Sequence, residues 1–395
     1  MVAVFAFEAI RPDRRAGSLR APRDLGQRFQ ARVRGDWRAA LAEWAPLSLP
    51  GETVPFQRAR WLATWYEAFA ADGNVEPAFV EVATLAGDKV MALPLVRVTG
   101  RSRVTIEFAD FGITDYNFPL LGPAAPTGEA EAVAAVAALR AALPRADVLA
   151  LEKMPRRLGA AVNPLTLALD TAPSDLAGNV VTLGDDHPAW FRGLDKHYRK
   201  ELERYGRVFG QFSRARFVRA GTADEAMAIH LRLEAMQRER FQRSDQPYRL
   251  DEAQFESFYR ALLRDGHDDA SVVVTALMVE DRMIAGLYSI VDGKGCAMVR
   301  MGVTQGPESK CSPGRLLIER TIHALHGEGL RVFDLTIGDY LHKRGFSPTR
   351  LALCDARVAL SPFGLPACGL WKAKAMVKAH PRLARGARRL MRSVG

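Results

Sequence analysis

A chain that grips phosphate needs backbone amides without partners, room for the ligand to approach, and a fixed positive charge. Ser312, Pro313, Gly314 and Arg315 offer that combination, where the apolar run CAMVRMGV passes through the loop TQGPESKCSP into an amphipathic stretch. The first amides of a helix have no partner inside it, and the helix dipole is positive there. Pro313 suits an early helical position because its missing N–H costs nothing there. Gly314 lets a ligand come close to the backbone, and Arg315 brings a planar charged fork matched to phosphate oxygens. A pyrophosphate fits such a site; a capped helix after a turn accounts for the same residues without any ligand.

Two further groups of residues carry usable chemistry. Asp339, Tyr340, His342 and Lys343 directly follow the apolar run RVFDLTIG, and Asp110 and Asp115-Tyr116-Asn117 lie in the polar loop DFGITDYNFP. Helix caps and surface ion pairs use the same side chains. Tyr198, Arg199, Lys200, Arg204 and Arg207 give one helix a basic and aromatic character, either a solvated face or a clamp on a polyanion. His323 and His326 stand three apart, as metal ligands on a helix do. No carboxylate or thiol stands at a ligand spacing from them, so no metal site is expected. Cys296, Cys311, Cys354 and Cys368 form no C-x-x-C pair and read as reduced thiols. There is no G-x-S-x-G elbow and no P-loop.

Hydrophobic periodicity outlines the elements that must position these groups. PFQRARWLATWYEAFA sets Trp61, Trp65 and Phe69 four apart, on one helix face. AFVEVATLAG and KVMALPLVRVTG read as a hairpin around Gly87-Asp88. EAEAVAAVAALRAAL is a helix that Pro144 stops, and DVLALEKMP is a short buried strand. TAPSDLAGNVVTLGDDHP is dense in Pro, Gly, Asp and Ser and reads as a linker, with a domain boundary at 171–187. Beyond it come the charged helix WFRGLDKHYRKELERYGRVFG and a helix opened by a Thr222/Glu225 capping box. The strands SVVVTALMVE, MIAGLYSIVDG and CAMVRMGV follow, then a helix from Gly314 to His326, a strand RVFDLTIG and a final strand LALCDARVAL. The expected organisation is an Arg-rich leader (1–50) with a helix near Arg38–Trp44, a first domain (51–172), a second (185–361) and a basic tail (362–395). Each domain reads helix, hairpin, polar loop, helix and strand, which points to two copies of one fold.

A length of 395 residues suits two domains of ordinary size. Hydrophobic residues at 48% and charged residues at 25% exclude a largely disordered chain. No stretch approaches the ~18 consecutive apolar residues of a membrane-spanning helix. The apolar start MVAVFAFEAI precedes the basic cluster Arg11, Arg14 and Arg15, the reverse of a secretory signal, so a cytoplasmic location is expected. The net charge is +10, and most of that excess lies between Trp371 and Gly395, a stretch with eight Lys/Arg and no acid. Such a tail is either solvated or in peripheral contact with an acidic surface such as an anionic membrane. Nucleic acid is not the expected partner.

In order and spacing these pieces resemble the GNAT-type acyltransferases of the CelD-like family, bacterial proteins often encoded with polysaccharide or cellulose biosynthesis and related to the FemAB peptidyl transferases. The resemblance rests on Pro55-Phe56 with Trp61 and Trp65, Leu93-Pro94-Leu95, Asp115-Tyr116, and Trp190 through Gly206. It continues through Ser312-Pro313-Gly314, Phe333-Asp334, Gly338-Asp339-Tyr340 and Lys343, and so covers residues 50–360. It implies an α/β fold of two tandem GNAT-like domains, each a mixed, mostly antiparallel sheet flanked by helices. It implies acetyl-CoA or another acyl-CoA, or an acyl carrier, as donor, with no cofactor bound permanently. The acceptor would be an amine or hydroxyl of a small metabolite or of a cell-envelope polysaccharide precursor. In such a sheet two strands splay and the thioester lies in the gap. Asp339 would then orient the acceptor or take its proton, Tyr340 would protonate the leaving thiolate, and Lys343 would hold a carboxylate or phosphate. The loop carrying Asp115 would face the same cleft. The pyrophosphate loop departs from the GNAT form Q/R-x-x-G-x-G/A, offering only Gly306 and Ser312 to Arg315. Two rivals stand beside this reading: a FemAB-like transferase using aminoacyl-tRNA, and a non-catalytic accessory protein of polysaccharide synthesis.

Overall fold

Long apolar strands separated by tight turns build two compact units in the computed structural model, which describes residues 28–47, 54–70, 73–243 and 249–379. Unit 1 comprises 1–175 and 352–395, and unit 2 comprises 176–351.

Unit 1 opens with strand β1 (Phe29–Arg34) and helix α1 (Trp37–Trp44), where Asp36 caps the helix through the Ala39 amide at 3.0 Å. β1 pairs antiparallel with the next strand, and Trp44 is buried with its indole N–H donating to Glu81 at 2.8 Å. Residues 29–47, expected as part of a leader, are thus an integral edge of this unit. Then come α2 (Ala59–Phe69), β2 (Val75–Thr84), β3 (Lys89–Thr99), β4 (Val104–Phe108), α3 (Glu129–Ala142) and β5 (Val148–Pro155). β1 to β4 run antiparallel in order, and β5 lies parallel beside β4. Ala135, Val136 and Leu139 of α3 pack on Val80, Leu93, Leu149 and Leu151 of the sheet. Trp61, Trp65 and Phe69 of α2 are buried as the four-residue spacing predicts.

The chain leaves unit 1 along β6 (Thr171–Thr182). This is the segment expected as a linker. Its Pro, Gly and Asp residues disfavour a strand locally, but its last residues, Val180 to Thr182, gain a ladder with a strand of unit 2. Helices α4 (His187–Gly193) and α5 (Lys196–Phe209) are capped by Asp186 and Asp195, which split the single charged helix expected there. Strand β7 (Arg216–Arg219), helices α6 (Ala223–Arg243) and α7 (Ala253–Gly266) and strands β8 (Val272–Val279), β9 (Arg282–Asp292) and β10 (Gly295–Val303) follow. Helix α8 (Pro313–Gly327), strand β11 (Val332–Asp334) and the short helix α9 (Leu341–Arg344) complete the unit. The strand order is β6-β11-β10-β9-β8-β7, with only β10 and β11 parallel. β8 is buried along its whole length, so its sequence is a continuous apolar run instead of an alternation.

Strand β12 (Thr349–Ala359) carries the chain back: Leu353 to Ala359 pair antiparallel with Pro155 to Val148 of β5. The final strand, expected in the second domain, therefore completes the sheet of the first. Helix α10 (Leu365–Ala379) follows and sets Cys368 against Val148 and Ala150. The expected tail is thus helical as far as Ala379, and 380–395 lie outside the described residues. In each unit the strands are mixed in direction and flanked by helices, which gives the expected α/β class. Among the described residues no helix is long and apolar enough to cross a membrane.

Candidate functional site

The strand RVFDLTIG is cut to three residues because the backbone turns left-handed at Thr336 (φ 60) and Gly338 (φ 104). β10 and β11 are consequently paired only from Gly295/Val332 to Ala297/Asp334, after which the two chains part. Beside the parting, Tyr288 and Ser289 of β9 face Arg300 and Met298, so Val299 is an extra residue, a bulge of the kind that re-aims a strand next to a site. The Thr336 hydroxyl donates to the Met298 carbonyl at 3.1 Å, and the Asn179 amide donates to the carbonyls of Thr336 and Gly338 at 2.8 and 3.1 Å. Three hydrogen bonds thus hold the segment leaving β11.

Asp339, Tyr340 and Lys343 come together at the end of that segment. Asp339 is exposed and accepts two bonds from Arg344 at 2.9 and 2.7 Å. The Arg344 guanidinium holds its carboxyl below the usual carboxylate range, so it stays ionised at neutral pH. Tyr340 is 55% exposed, and its ring packs over Gly338, where a Cβ would meet it at 2.6 Å. Only glycine fits there, on both steric and backbone grounds. Lys343 is buried; its ammonium donates to the Ile337 carbonyl at 2.6 Å and lies 5.4 Å from the Tyr340 ring centroid. These main-chain bonds tie Lys343 to the loop that carries Asp339 and Tyr340. Asp115 belongs to unit 1, whereas residues 339–343 belong to unit 2.

Ser312 precedes α8 in the left-handed region (φ 44) and gives the helix no side-chain cap. Gly314 sits against β10, where a Cβ would lie 3.2 Å from Val303 and 3.4 Å from Met301. Its smallness thus serves helix–strand packing as well as approach by a ligand. Arg315 turns toward α5: its guanidinium is 3.4 Å from the Tyr205 hydroxyl, 3.5 Å from Glu201 and 5.7 Å from the Tyr198 centroid. In the preceding 3₁₀ turn, Pro307–Cys311, Glu308 is buried and paired with Arg282. Any phosphate at this helix start therefore shares the loop with a carboxylate. Tyr198 links the two candidate groups, because Phe346 packs edge-on against its other side at 5.4 Å. Of the basic residues on α5, Arg199 is tied to the Arg192 carbonyl and Arg204 covers Tyr205.

Sequence reasoning missed a buried polar cluster on the bulged strand. Glu234 of α6 meets His230 at 3.1 Å, Arg260 at 2.7 Å and Arg300 at 3.6 Å. Arg300 also donates to the Gln237 side chain at 2.9 and 2.6 Å and lies over Tyr259. Burial works to raise the Glu234 carboxyl, but His230 and the arginines outweigh it and hold it at about 2. Burial lowers His230. The available signal was Arg300 itself, a lone charge inside the apolar run CAMVRMGV.

Thiol chemistry has no support. All four cysteines are buried, and burial pushes Cys296 up to about 12 and Cys311 and Cys354 up to about 11. His187 joins His323 and His326 in a ring cluster, yet no group of His, Cys, Asp and Glu among the described residues could hold a metal ion.

Residues 196–344, from the start of α5 to the end of α9, match the family described as acetyltransferase (GNAT) domain. No curated protein matches the chain. Among solved structures the chain is similar to FemX, with a TM-score of 0.55 and 10% identity over 84% of this chain and 98% of that one. It is also similar to the C-terminal DUF2156 domain of an Agrobacterium fabrum protein described as a lysylphosphatidylglycerol synthetase. That match has a TM-score of 0.50 and 13% identity over 86% and 96%. A tandem GNAT protein from the clavulanic acid biosynthesis pathway aligns with a TM-score of 0.46 and 13% identity over 85% and 99%. At these identities the likeness to FemX and to the DUF2156 domain is one of fold.

Proposed function

We propose that this chain is an acyltransferase that moves an acyl group from an acyl-CoA or carrier thioester to an amine or hydroxyl of a small metabolite or of a cell-envelope polysaccharide precursor, as the CelD-like proteins suggest. The observation that carries this reading is the parting of β10 and β11 beside a bulge, inside the stretch that matches the GNAT domain. Beyond Ala297, β10 has no strand partner on that side among the described residues, so an extended thioester arm can lie along it and use main-chain groups that would otherwise need other partners. The acceptor's lone pair attacks the thioester carbonyl, the C–S bond breaks, and the sulfur leaves as a thiolate. Tyr340 gives that thiolate its proton and regains one, through solvent, from the acceptor's N–H or O–H, so the net transfer runs from acceptor to thiol. Asp339, ionised and anchored by Arg344, orients the acceptor amine. Ser312, Pro313, Gly314 and Arg315 meet the donor's phosphates at the uncapped start of α8, and Lys343 keeps the loop in place.

The same reading includes peripheral contact with anionic membrane. Phe363 is 82% exposed, and Leu365, Leu370 and Met376 are also exposed, on a stretch whose charged side chains are all basic.

Thermal unfolding of the full chain with acetyl-CoA, and separately with aminoacyl-tRNA, tests the donor. Stabilisation by acetyl-CoA is expected, with weaker binding in Gly314→Leu and Arg315→Ala. Stabilisation by aminoacyl-tRNA alone would move the protein to the FemAB-like class, and stabilisation by neither would favour the accessory role.

A further inference from the structure

Unit 1 contains a cavity of about 290 Å³ that lies outside the matched domain; Asp110 and Asn117 of the polar loop line it, but none of the residues given a role in acyl transfer does. Its floor follows from strand register. Glu107 of β4 lies opposite Ala150 of β5, and Ala150 lies opposite Arg357 of β12, so one row of side chains crosses three strands. Two residues along each strand, on the same face of the pleat, stand Thr105 and Glu152. Ala150 below and Ala367 of α10 at the wall are too small to fill the space.

The charges around this space are unequally satisfied. Lys153 is closed onto Asp110 at 2.7 Å, and Asn117 donates to the same carboxylate at 2.8 Å. Arg357 pairs with Glu152 at 2.5 Å. Lys372 and Lys378 of α10 are taken by Asp170 and Asp175. Glu107 has no hydrogen bond or ion pair among the described residues, and the Arg357 Nε–H is buried without an acceptor. Two non-glycine residues of the lining, Phe111 (φ 48) and Lys153 (φ 57), are held in the left-handed region, and strain of this kind gathers at ligand sites.

An unpaired acid on a void also lined by the Thr105 hydroxyl and the Arg357 side chain asks for a ligand with a cation and oxygen acceptors. We infer that this cavity binds a small polyhydroxylated primary amine, with its ammonium on Glu107 and its hydroxyls on Arg357 and Thr105. The volume equals roughly ten waters at ~30 Å³ each, room for a chain of about a dozen heavy atoms. Lys153 and Arg357 are already paired and Arg103 of the lining is exposed to solvent, so the partly buried charge left without a partner is the Glu107 carboxyl, which favours a cation at that wall. Burial, then Asp110 and Glu152, raise the Glu107 carboxyl to about 7, against Arg357 and Lys153. An ammonium favours the ionised form, so binding strengthens as pH rises through neutrality. The inference does not depend on acyl transfer.

Calorimetry on the full chain with glucamine (1-amino-1-deoxy-D-glucitol) tests it, with sorbitol as the same chain carrying a hydroxyl in place of the ammonium. Glucamine should bind, sorbitol at least ten-fold more weakly, and glucamine affinity should rise about ten-fold from pH 6 to pH 8. Glu107→Gln should weaken glucamine at least ten-fold and remove the pH dependence. Ala367→Leu, which fills the cavity from the helix side, should also abolish binding, and decides the matter if Glu107→Gln fails to fold. No glucamine binding, equal binding of sorbitol, or unchanged glucamine affinity in a folded variant would overturn the assignment.

Discussion

Single side chains decide whether the proposed chemistry runs. Tyr340 is exposed beside the left-handed turn at Gly338, where solvent and a leaving group can reach its side chain. Tyr340→Phe should lower turnover by about 10²-fold and leave donor affinity nearly intact, because the proton moves only in the transition state. Asp339→Asn should raise KM for the acceptor more than it lowers kcat. Steady-state kinetics on a confirmed acceptor reads both, and wild-type values in both variants would remove the acid and orienting roles together. Glu107 makes a separate claim about stability. Its folded carboxyl titrates at about 7, above the ordinary carboxylate value, so the folded state binds the extra proton. Stability contributed by the neutral form is therefore present below about pH 4 and falls as pH rises toward 7, then levels off. Denaturant titrations should show Glu107→Gln more stable than the parent by roughly 3 kcal/mol at pH 8 and little different at pH 4. A gap that does not change with pH would show that Glu107 is not held in its neutral form. The positions of Asp339 and Tyr340 after an apolar strand were legible in the sequence, since a polar cluster behind such a run marks a strand exit. The burial of Lys343 was not, because it depends on where two carbonyls point after a left-handed turn at Thr336, a residue with no preference for that turn.

At the level of elements, contact distances set tolerance. Gly345 follows α9, and a Cβ there would come within 2.1 Å of the buried Tyr198 ring. Gly345→Ala should cost about 1–3 kcal/mol by overpacking. Gly369 lies inside α10 with nothing within 4 Å of its Cβ direction, so Gly369→Ala should be neutral or stabilising by up to ~1 kcal/mol. Urea midpoints for the pair check the contrast; equal shifts would mean that the α5 contact with this loop is loose. Elements coded locally could be read from sequence. The four-residue aromatic spacing gave α2, and the capping box is present, with the Glu225 amide donating to Thr222 at 3.2 Å. Elements that owe their form to distant partners could not be read. β1 and β6 are strands because β2 and β11 supply ladders, and β12 belongs to the first unit because β5 offers the free edge. The His230–Glu234–Arg300 cluster was hidden for the same reason, since it joins residues of two elements about 65 positions apart.

On the scale of the whole chain, the basic excess is concentrated where apolar side chains are also exposed. Each basic residue near an anionic surface contributes about 1 kcal/mol. Cutting after Ser361 would remove α10 and uncover Val148 and Ala150, so the informative truncation ends at Ala379. Sedimentation with phosphatidylserine vesicles should fall several-fold in that variant and at high salt, and equal sedimentation of both chains would refute the membrane contact. The return of the chain through β12 has a consequence during synthesis. β5 is made early, but the strand that closes its free edge emerges only after all of unit 2. At roughly 5–20 residues per second, about 10–40 seconds pass with that apolar edge open on the ribosome. Unit 2, contiguous in sequence, is translated in full before its neighbour can close. A ribosome that stalls between 176 and 351 therefore releases an unfinished first unit with an unpaired strand edge, the form of the protein most exposed to aggregation and proteolysis.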